Sequence, residues 1–337
     1  IVGENIDEET ANIIGKALGS YIIQDGKKTI SAAYDGRNSS PKLFEALVKG
    51  LLSTGIEVRD VGLGPSPMLY FATYYLESDY GVMLTGSHNP PNYNGFKIMS
   101  RQKPFYGDDL QNLYQIIKSD DFITAQQYGE ILKYDIKESY INRLLGDLQL
   151  GKKLNIAWDP GNGAGGEITR LLADEIAAEH FLINDIIDGN FPNHHPDPTV
   201  EKNLVQIKQL VAENQCDLGI AFDGDADRIG VIDDEGDVIL GDQLLILYAR
   251  EIIKEKPNAI IIADVKSSDV FYHEVKKAGG RPIIWKTGHS LIKAKMLESN
   301  ADLAGELSGH IFFNDKYYGF DDALYAAIRI INIVSNS

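Results

Sequence analysis

Four short stretches of this sequence combine residues that do chemistry with loop residues able to present them. The first is Thr85-Gly86-Ser87-His88-Asn89-Pro90-Pro91-Asn92-Tyr93-Asn94-Gly95-Phe96-Lys97, which follows the apolar run Tyr80–Leu84. A serine between glycine and histidine, on a proline-stiffened loop leaving a strand, can offer its hydroxyl to a ligand. The second is Asp223-Gly224-Asp225-Ala226-Asp227-Arg228. In extended chain every second side chain points the same way, so Asp223, Asp225 and Asp227 can converge on one cation. All-oxygen ligands select a hard ion, Mg²⁺ or Ca²⁺. An EF-hand fails on detail, because its glycine position is Arg228 and its closing glutamate position is Asp234. A solvated acidic turn is the alternative, but the apolar strand Leu218–Phe222 just before would bury part of the cluster. Arg228 is placed to grip a phosphate oxygen.

The third stretch, Gly305-Glu306-Leu307-Ser308-Gly309-His310, puts a carboxylate, a hydroxyl and an imidazole on alternate positions. Such a row suits the hydroxyls of a sugar, although the same alternation is common on exposed strand edges. In the fourth, Lys286-Thr287-Gly288-His289-Ser290, the glycine could let backbone amides approach an anion. An ordinary strand-to-helix turn capped by Ser290 is equally compatible with it. Two further stretches look chemical for weaker reasons. Asn193-His194-His195-Pro196-Asp197 lacks a third zinc ligand at a usual spacing and reads as a stiffened loop. Asp159-Pro160-Gly161-Asn162-Gly163-Ala164-Gly165-Gly166 has no Walker lysine, and tight turning before a helix explains it.

The elements that must position these loops alternate. Helices are expected at 7–24, 41–52, 67–76, 108–118, 135–145, 167–178, 201–214, 242–254, 268–278, 290–298 and 321–334. Strands are expected at 29–34, 56–61, 81–84, 154–158, 218–222, 259–263 and 282–285, with a hairpin turn at 234–237 and paired strands around Leu303 and Ile311. Strand-helix alternation is the pattern of an α/β protein, and the unusual loops fall at the carboxyl ends of strands, where open α/β sheets place ligands. Three such rounds in 337 residues predict three consecutive, related α/β domains with mixed sheets between helices, bounded at 1–133, 134–237 and 238–337.

The formal charge of −17 argues against nucleic acid or an anionic membrane as a partner. An anionic substrate would require cations gathered locally near the loops. The single cysteine, Cys216, excludes an internal disulfide, fits a reducing, cytoplasmic setting and reads as a small buried side chain. No apolar run approaches membrane-spanning length. There is no signal peptide, and because the chain opens at Ile1 the first residues of the natural protein are expected to precede it.

Taken together, Thr85–Pro90, Asp223–Arg228 and Gly305–His310, in this order and separation, resemble the α-D-phosphohexomutases. The likeness is greatest to the bacterial phosphomannomutase/phosphoglucomutase group. Lys286–Ser290 and Gly189–Pro196 add to it, and it runs along essentially the whole chain. The resemblance implies an isomerase that converts hexose 1-phosphate and hexose 6-phosphate through a phosphoserine and a hexose 1,6-bisphosphate. It implies that Ser87 is the phosphoserine, with His88, Lys97 and His310 as further catalytic residues. Lys97 and His310 are the candidates for proton transfer. Mg²⁺ would be held by Asp223, Asp225, Asp227 and an oxygen on Ser87, with glucose 1,6-bisphosphate as activator. Glu306 and Ser308 would hold sugar hydroxyls, alongside Arg37, Arg228, Lys266, Thr287, Gly288, His289 and His310 as substrate-binding residues. Leu307 leans towards mannose and glucose substrates, since phosphoglucosamine mutases usually carry glutamine there; that activity is the alternative within the class. A non-catalytic sugar-phosphate binder is the alternative outside it. The resemblance also implies a fourth domain after Ser337 and an Arg-Gly pair before Ile1, so a fragment is expected, and a monomer.

Overall fold

The computed structural model describes residues 1–101 and 104–337, which form two compact units: Ile1–Glu138 with Asp188–Asn190, and Ser139–Ile187 with Phe191–Ser337. In the first unit the order is α1 (Glu8–Gln24), β1 (Thr29–Tyr34), α2 (Ser40–Ser53), β2 (Glu57–Leu63) and α3 (Ser66–Tyr75). Next come β3 (Tyr80–Leu84), β4 (Phe96–Ser100), α4 (Asp108–Ser119) and β5 (Ile131–Lys133). Helix α1 starts where it does because Asp7 caps it, accepting from Thr10 N at 2.7 Å, while Glu8 and Glu9 complement the dipole of the first turn. The sheet runs β4-β3-β1-β2-β5. Its central strand β1 is parallel to β2 and β3, and β4 is antiparallel to β3, with Lys97 opposite Met83. Every residue of β3 is buried, as expected of an inner strand covered on both faces. Leu18, Ile22, Leu47 and Leu51 of α1 and α2 close over Ile30, Ala32 and Val82 in the core.

The second unit takes in all but the first two residues of α5 (Lys137–Leu145), then β6 (Asn155–Asp159), α6 (Gly166–Glu175) and β7 (Glu179–Leu182). A 3-10 turn, Glu201–Leu204, leads into α7 (Val205–Asn214), followed by β8 (Leu218–Phe222), β9 (Ile229–Ile232) and β10 (Val238–Ile239). Then come α8 (Gly241–Glu255), β11 (Ile260–Asp264), α9 (Asp269–Lys277) and β12 (Arg281–Trp285). The chain closes with α10 (His289–Ser299), β13 (Leu303–Gly305), β14 (Ile311–Phe313) and α11 (Ala323–Ser335). Two sheets result, β10-β9-β8-β6-β7 and β12-β11-β13-β14. Helix α11 is apolar almost all round, and Ala323–Ile331 is buried throughout against β8, β9, β14 and α8.

The three sheets share one plan. A central strand (β1, β6 or β11) has a parallel neighbour on one side (β2, β7 or β12) and another on the other (β3, β8 or β13). The last of these turns back into an antiparallel strand, β4, β9 or β14. The serine loop, the aspartate loop and the Glu306–His310 loop therefore occupy the same topological position in three α/β domains. The expected helices and strands are present, with ends displaced by up to three residues, and β4, β5 and β7 are additional. These three are short or partly exposed edge strands, whose weak alternation hides them. The expected helix at 201–214 begins as the 3-10 turn.

Candidate active site

At the end of β3 the backbone of Ser87 lies in the left-handed region, φ 49°, a conformation that costs a non-glycine residue roughly 1 kcal/mol. Its Oγ is 3.2 Å from His88 Nδ1, and its N–H donates to Thr85 Oγ1 at 2.7 Å. Lys97 stands on β4 at the same sheet end. Inside the loop lies Arg37, whose side chain is fully buried. Its Nε donates to Asp35 Oδ2 at 3.1 Å; one terminal nitrogen donates to Pro90 O and Tyr93 O, the other to Ser87 O and Asn89 O. A guanidinium has five N–H donors, and all five are spent here. The expectation that Arg37 binds substrate is thereby corrected: no donor is left for a phosphate. Asp35 also accepts from Gly86 N, Arg37 N and Ser40 Oγ. Burial pushes the Asp35 carboxyl up, opposed by the Arg37 charge.

After β8, Asp223, Asp225 and Asp227 are completely buried, and one oxygen from each lies within 4.8 Å of the others. Ala226 takes φ 56°, and Asp223 Oδ1 accepts from Asp227 N and Arg228 N, both at 3.1 Å. Buried like charges at this spacing call for a cation, and an all-carboxylate donor set fits a hard divalent one such as Mg²⁺. The loop is backed by the glycine-rich stretch after β6: Ala164 N donates to Gly224 O at 2.8 Å. A Cβ on Gly163 would lie 2.7 Å from Gly224 O, so that stretch is more than a tight turn. His194, set aside as a zinc ligand, instead meets Asp159 Oδ2 through Nε2 at 2.9 Å.

The Glu306–His310 segment is a turn between β13 and β14, closed by Glu306 N to His310 O and Gly309 N to Glu306 O. Its side chains consequently do not form the extended row that alternation suggested. Glu306 is buried and accepts from Gly288 N at 2.5 Å; burial pushes its carboxyl up, opposed by the His310 charge. Ser308 is half-buried. His310 is buried, with Nε2 3.0 Å from Arg228 Nε and Nδ1 3.2 Å from Asp321 Oδ2. Nε2 thus supports Arg228, while Nδ1 faces the Asp321 and Asp227 carboxylates without a well-formed hydrogen bond. The His289 ring stacks on it, with centroids 5.9 Å apart. Helix α10 is entered through Gly288, at φ 129°, so the Ser290 cap is also corrected.

Sequence reasoning passed over Asp264. Its carboxylate accepts from Ser267 Oγ, Thr287 Oγ1 and Leu307 N, joining the loops after β11, β12 and β13; Lys266 stands exposed beside it. Asp35, Asp159 and Asp264 all stand at the end of the central strand of their sheet. That recurrence was readable in Ala33-Tyr34-Asp35, Ala157-Trp158-Asp159 and Ile262-Ala263-Asp264.

Residues 1–124, 138–236 and 240–337 match, respectively, the family domains described as phosphoglucomutase/phosphomannomutase alpha/beta/alpha domains I, II and III. The chain is 43% identical to a phosphomannomutase/phosphoglucomutase of Pseudomonas putida, over 100% of this chain and 72% of that one. It is 41% identical to a phosphoglucomutase of Neisseria gonorrhoeae, over 100% of this chain and 73% of that one. A phosphoglucomutase/phosphomannomutase family protein of Burkholderia thailandensis has a solved structure that superposes with a TM-score of 0.95 at 41% identity. That superposition covers 99% of this chain and 74% of the other.

Proposed function

This chain belongs to the phosphoglucomutase/phosphomannomutase family, and from that premise we propose that it interconverts the 1- and 6-phosphates of mannose and glucose. Ser87 is the phosphoryl carrier. Its phosphoryl group passes to the free hydroxyl of a hexose phosphate, the resulting 1,6-bisphosphate turns over, and the other phosphoryl group returns to Ser87 Oγ. The proton leaving the attacking hydroxyl is taken by a base for which Lys97 is the candidate, and His88, 3.2 Å from Oγ, orients the serine. Glu306 and Ser308 hold sugar hydroxyls, and Arg228, Lys266, Thr287, Gly288 and His289 hold the rest of the hexose phosphate. The domain boundaries go with this reading: 1–133 carries the serine, 134–237 the aspartates and 238–337 the sugar-binding turn.

What supports the reading most is the convergence of three fully buried carboxylates in the β8–β9 loop. Asp223, Asp225 and Asp227 would hold Mg²⁺, which supplies charge neutralisation for phosphoryl transfer. Intact mass tests the proposal. After incubation with glucose 1,6-bisphosphate and Mg²⁺ the chain should gain one phosphoryl group, and Ser87→Ala should gain none. Equal uptake by both would remove Ser87 as the carrier. A coupled assay with mannose, glucose and glucosamine 1-phosphates then ranks the sugars, the first two being expected to lead.

A further inference from the structure

We propose that Arg37 is a positioning residue for phosphoryl transfer: a buried latch that holds Ser87 in its attacking conformation and acts on the rate of transfer rather than on binding. The inference rests on the reading of Ser87 as the phosphoryl carrier. It is carried by the closure of one guanidinium on four carbonyls of a single loop, those of Ser87, Asn89, Pro90 and Tyr93. These acceptors bracket the tip of the loop, so moving Ser87 relative to the sheet would break several charge-assisted hydrogen bonds at once. The fifth donor anchors the latch to Asp35 at the end of β1. A positive φ at a serine persists only where its surroundings over-determine it, and these contacts provide that constraint.

Gly86 gives a second, independent sign that the loop is built round this side chain. A Cβ there would lie 2.4 Å from Arg37 Cζ and 2.5 Å from Nε. Its φ is not in the left-handed region, so glycine is required for space and not for backbone freedom. Lysine cannot replace the arginine: an ammonium has three donors around one point and cannot span carbonyls on both sides of the fork.

Two variants test the latch by different routes. Arg37→Lys keeps the buried charge and removes the fork; Gly86→Ala keeps Arg37 and pushes the fork aside. For each, steady-state rates with glucose 1-phosphate, Mg²⁺ titration and the rate of Ser87 phosphorylation from glucose 1,6-bisphosphate are compared with wild type. Both variants should lose about 10- to 100-fold in kcat and in phosphorylation rate, the scale of a small misplacement of a reacting group. KM and the Mg²⁺ dissociation constant should stay within about two-fold, and the double variant should be little worse than the worse single one, since both break the same contacts. If Arg37→Lys does not fold, Gly86→Ala carries the same expectation by itself. A raised KM with unchanged kcat would make Arg37 a binding residue and overturn the latch. Variants that match a phosphorylated wild type would also overturn it while leaving the mutase reading intact. A wild type that takes up no phosphoryl group would overturn the mutase reading, and the latch with it.

Discussion

The β3–β4 loop and the β8–β9 loop leave equivalent strands of two sheets with the same plan, yet they are held in different ways. The serine loop is fixed from inside by a side chain, with the Arg37 fork on four carbonyls and Asp35 behind it. The aspartate loop is fixed by backbone against backbone, through Ala164 N on Gly224 O, and by Asp223 folding back onto the amides of Asp227 and Arg228. The difference follows from what each loop must present. The aspartate loop must leave its carboxylates to a cation, so small residues and main-chain contacts support it, with Arg228 at its end offsetting part of their charge. The serine loop presents one neutral hydroxyl, and a charged latch with its own counter-ion, Asp35, fits inside it.

Three substitutions would break or sharpen this contrast. The largest effect is expected from Asp225→Ala. It removes a cation ligand while leaving the Asp223 turn in place, and should lower Mg²⁺-dependent phosphorylation of Ser87 by on the order of 10³-fold. Activity that stays near wild type across a Mg²⁺ titration would mean that the three carboxylates do not hold the catalytic cation.

Next is Asp322, the cap of α11, whose first residue reaches the aspartate loop through Ala323 N to Ala226 O. Burial raises its carboxyl to about 6, against hydrogen bonds from Tyr325 N, Tyr140 and Tyr317. The unfolded chain has the ordinary value near ~4. Between about pH 4 and pH 6 the folded state therefore binds the extra proton, and its stability falls as pH rises; above pH 6 the loss is complete. Asp322→Asn cannot ionise, so urea denaturation should show its stability improving relative to wild type by roughly 2–3 kcal/mol from pH 4 to pH 7.5. A difference that is flat with pH would rule out Asp322 as the titrating group.

The smallest effect is expected from Gly163→Val. Its side chain meets Gly224 O and Cα, and overpacking of this kind costs about 1–3 kcal/mol. Mg²⁺ affinity should weaken about ten-fold, as for other supports of metal ligands, while Gly86→Ala leaves it alone. If both glycine variants changed Mg²⁺ affinity equally, the two loops would not be independently supported.

Much of this was legible in the chain. The apolar runs before Ser87 and Asp223 are inner strands with no polar face to obscure them, and the three aspartates do converge, although through a turn (Ala226 N to Asp223 O) and not by extended alternation. The turn Glu306–His310 was misread as extended because alternation is ambiguous when the flanking strands are three residues long. Arg37 was misread because an arginine in a strand-end loop looks the same in sequence whether its donors face a ligand or the chain itself. The support that His310 gives Arg228 was not visible in the chain: its neighbours Arg228 and Asp321 are 82 and 11 residues away, and only packing brings them together. Among the described residues, no helix is long and apolar enough to cross a membrane.

By itself the sequence determined the α/β alternation, the residues able to carry a phosphoryl group and a cation, and the loops that bear them, because these depend on local periodicity and residue chemistry. Tertiary structure decided which polar groups remain available. Arg37 is consumed by the carbonyls of the serine loop, His310 is tied to Arg228 through Nε2, Asp264 becomes a junction of three loops, and the three loops prove topologically equivalent. Those outcomes depend on strand order and on counting donors against acceptors in three dimensions, which no single stretch of chain contains.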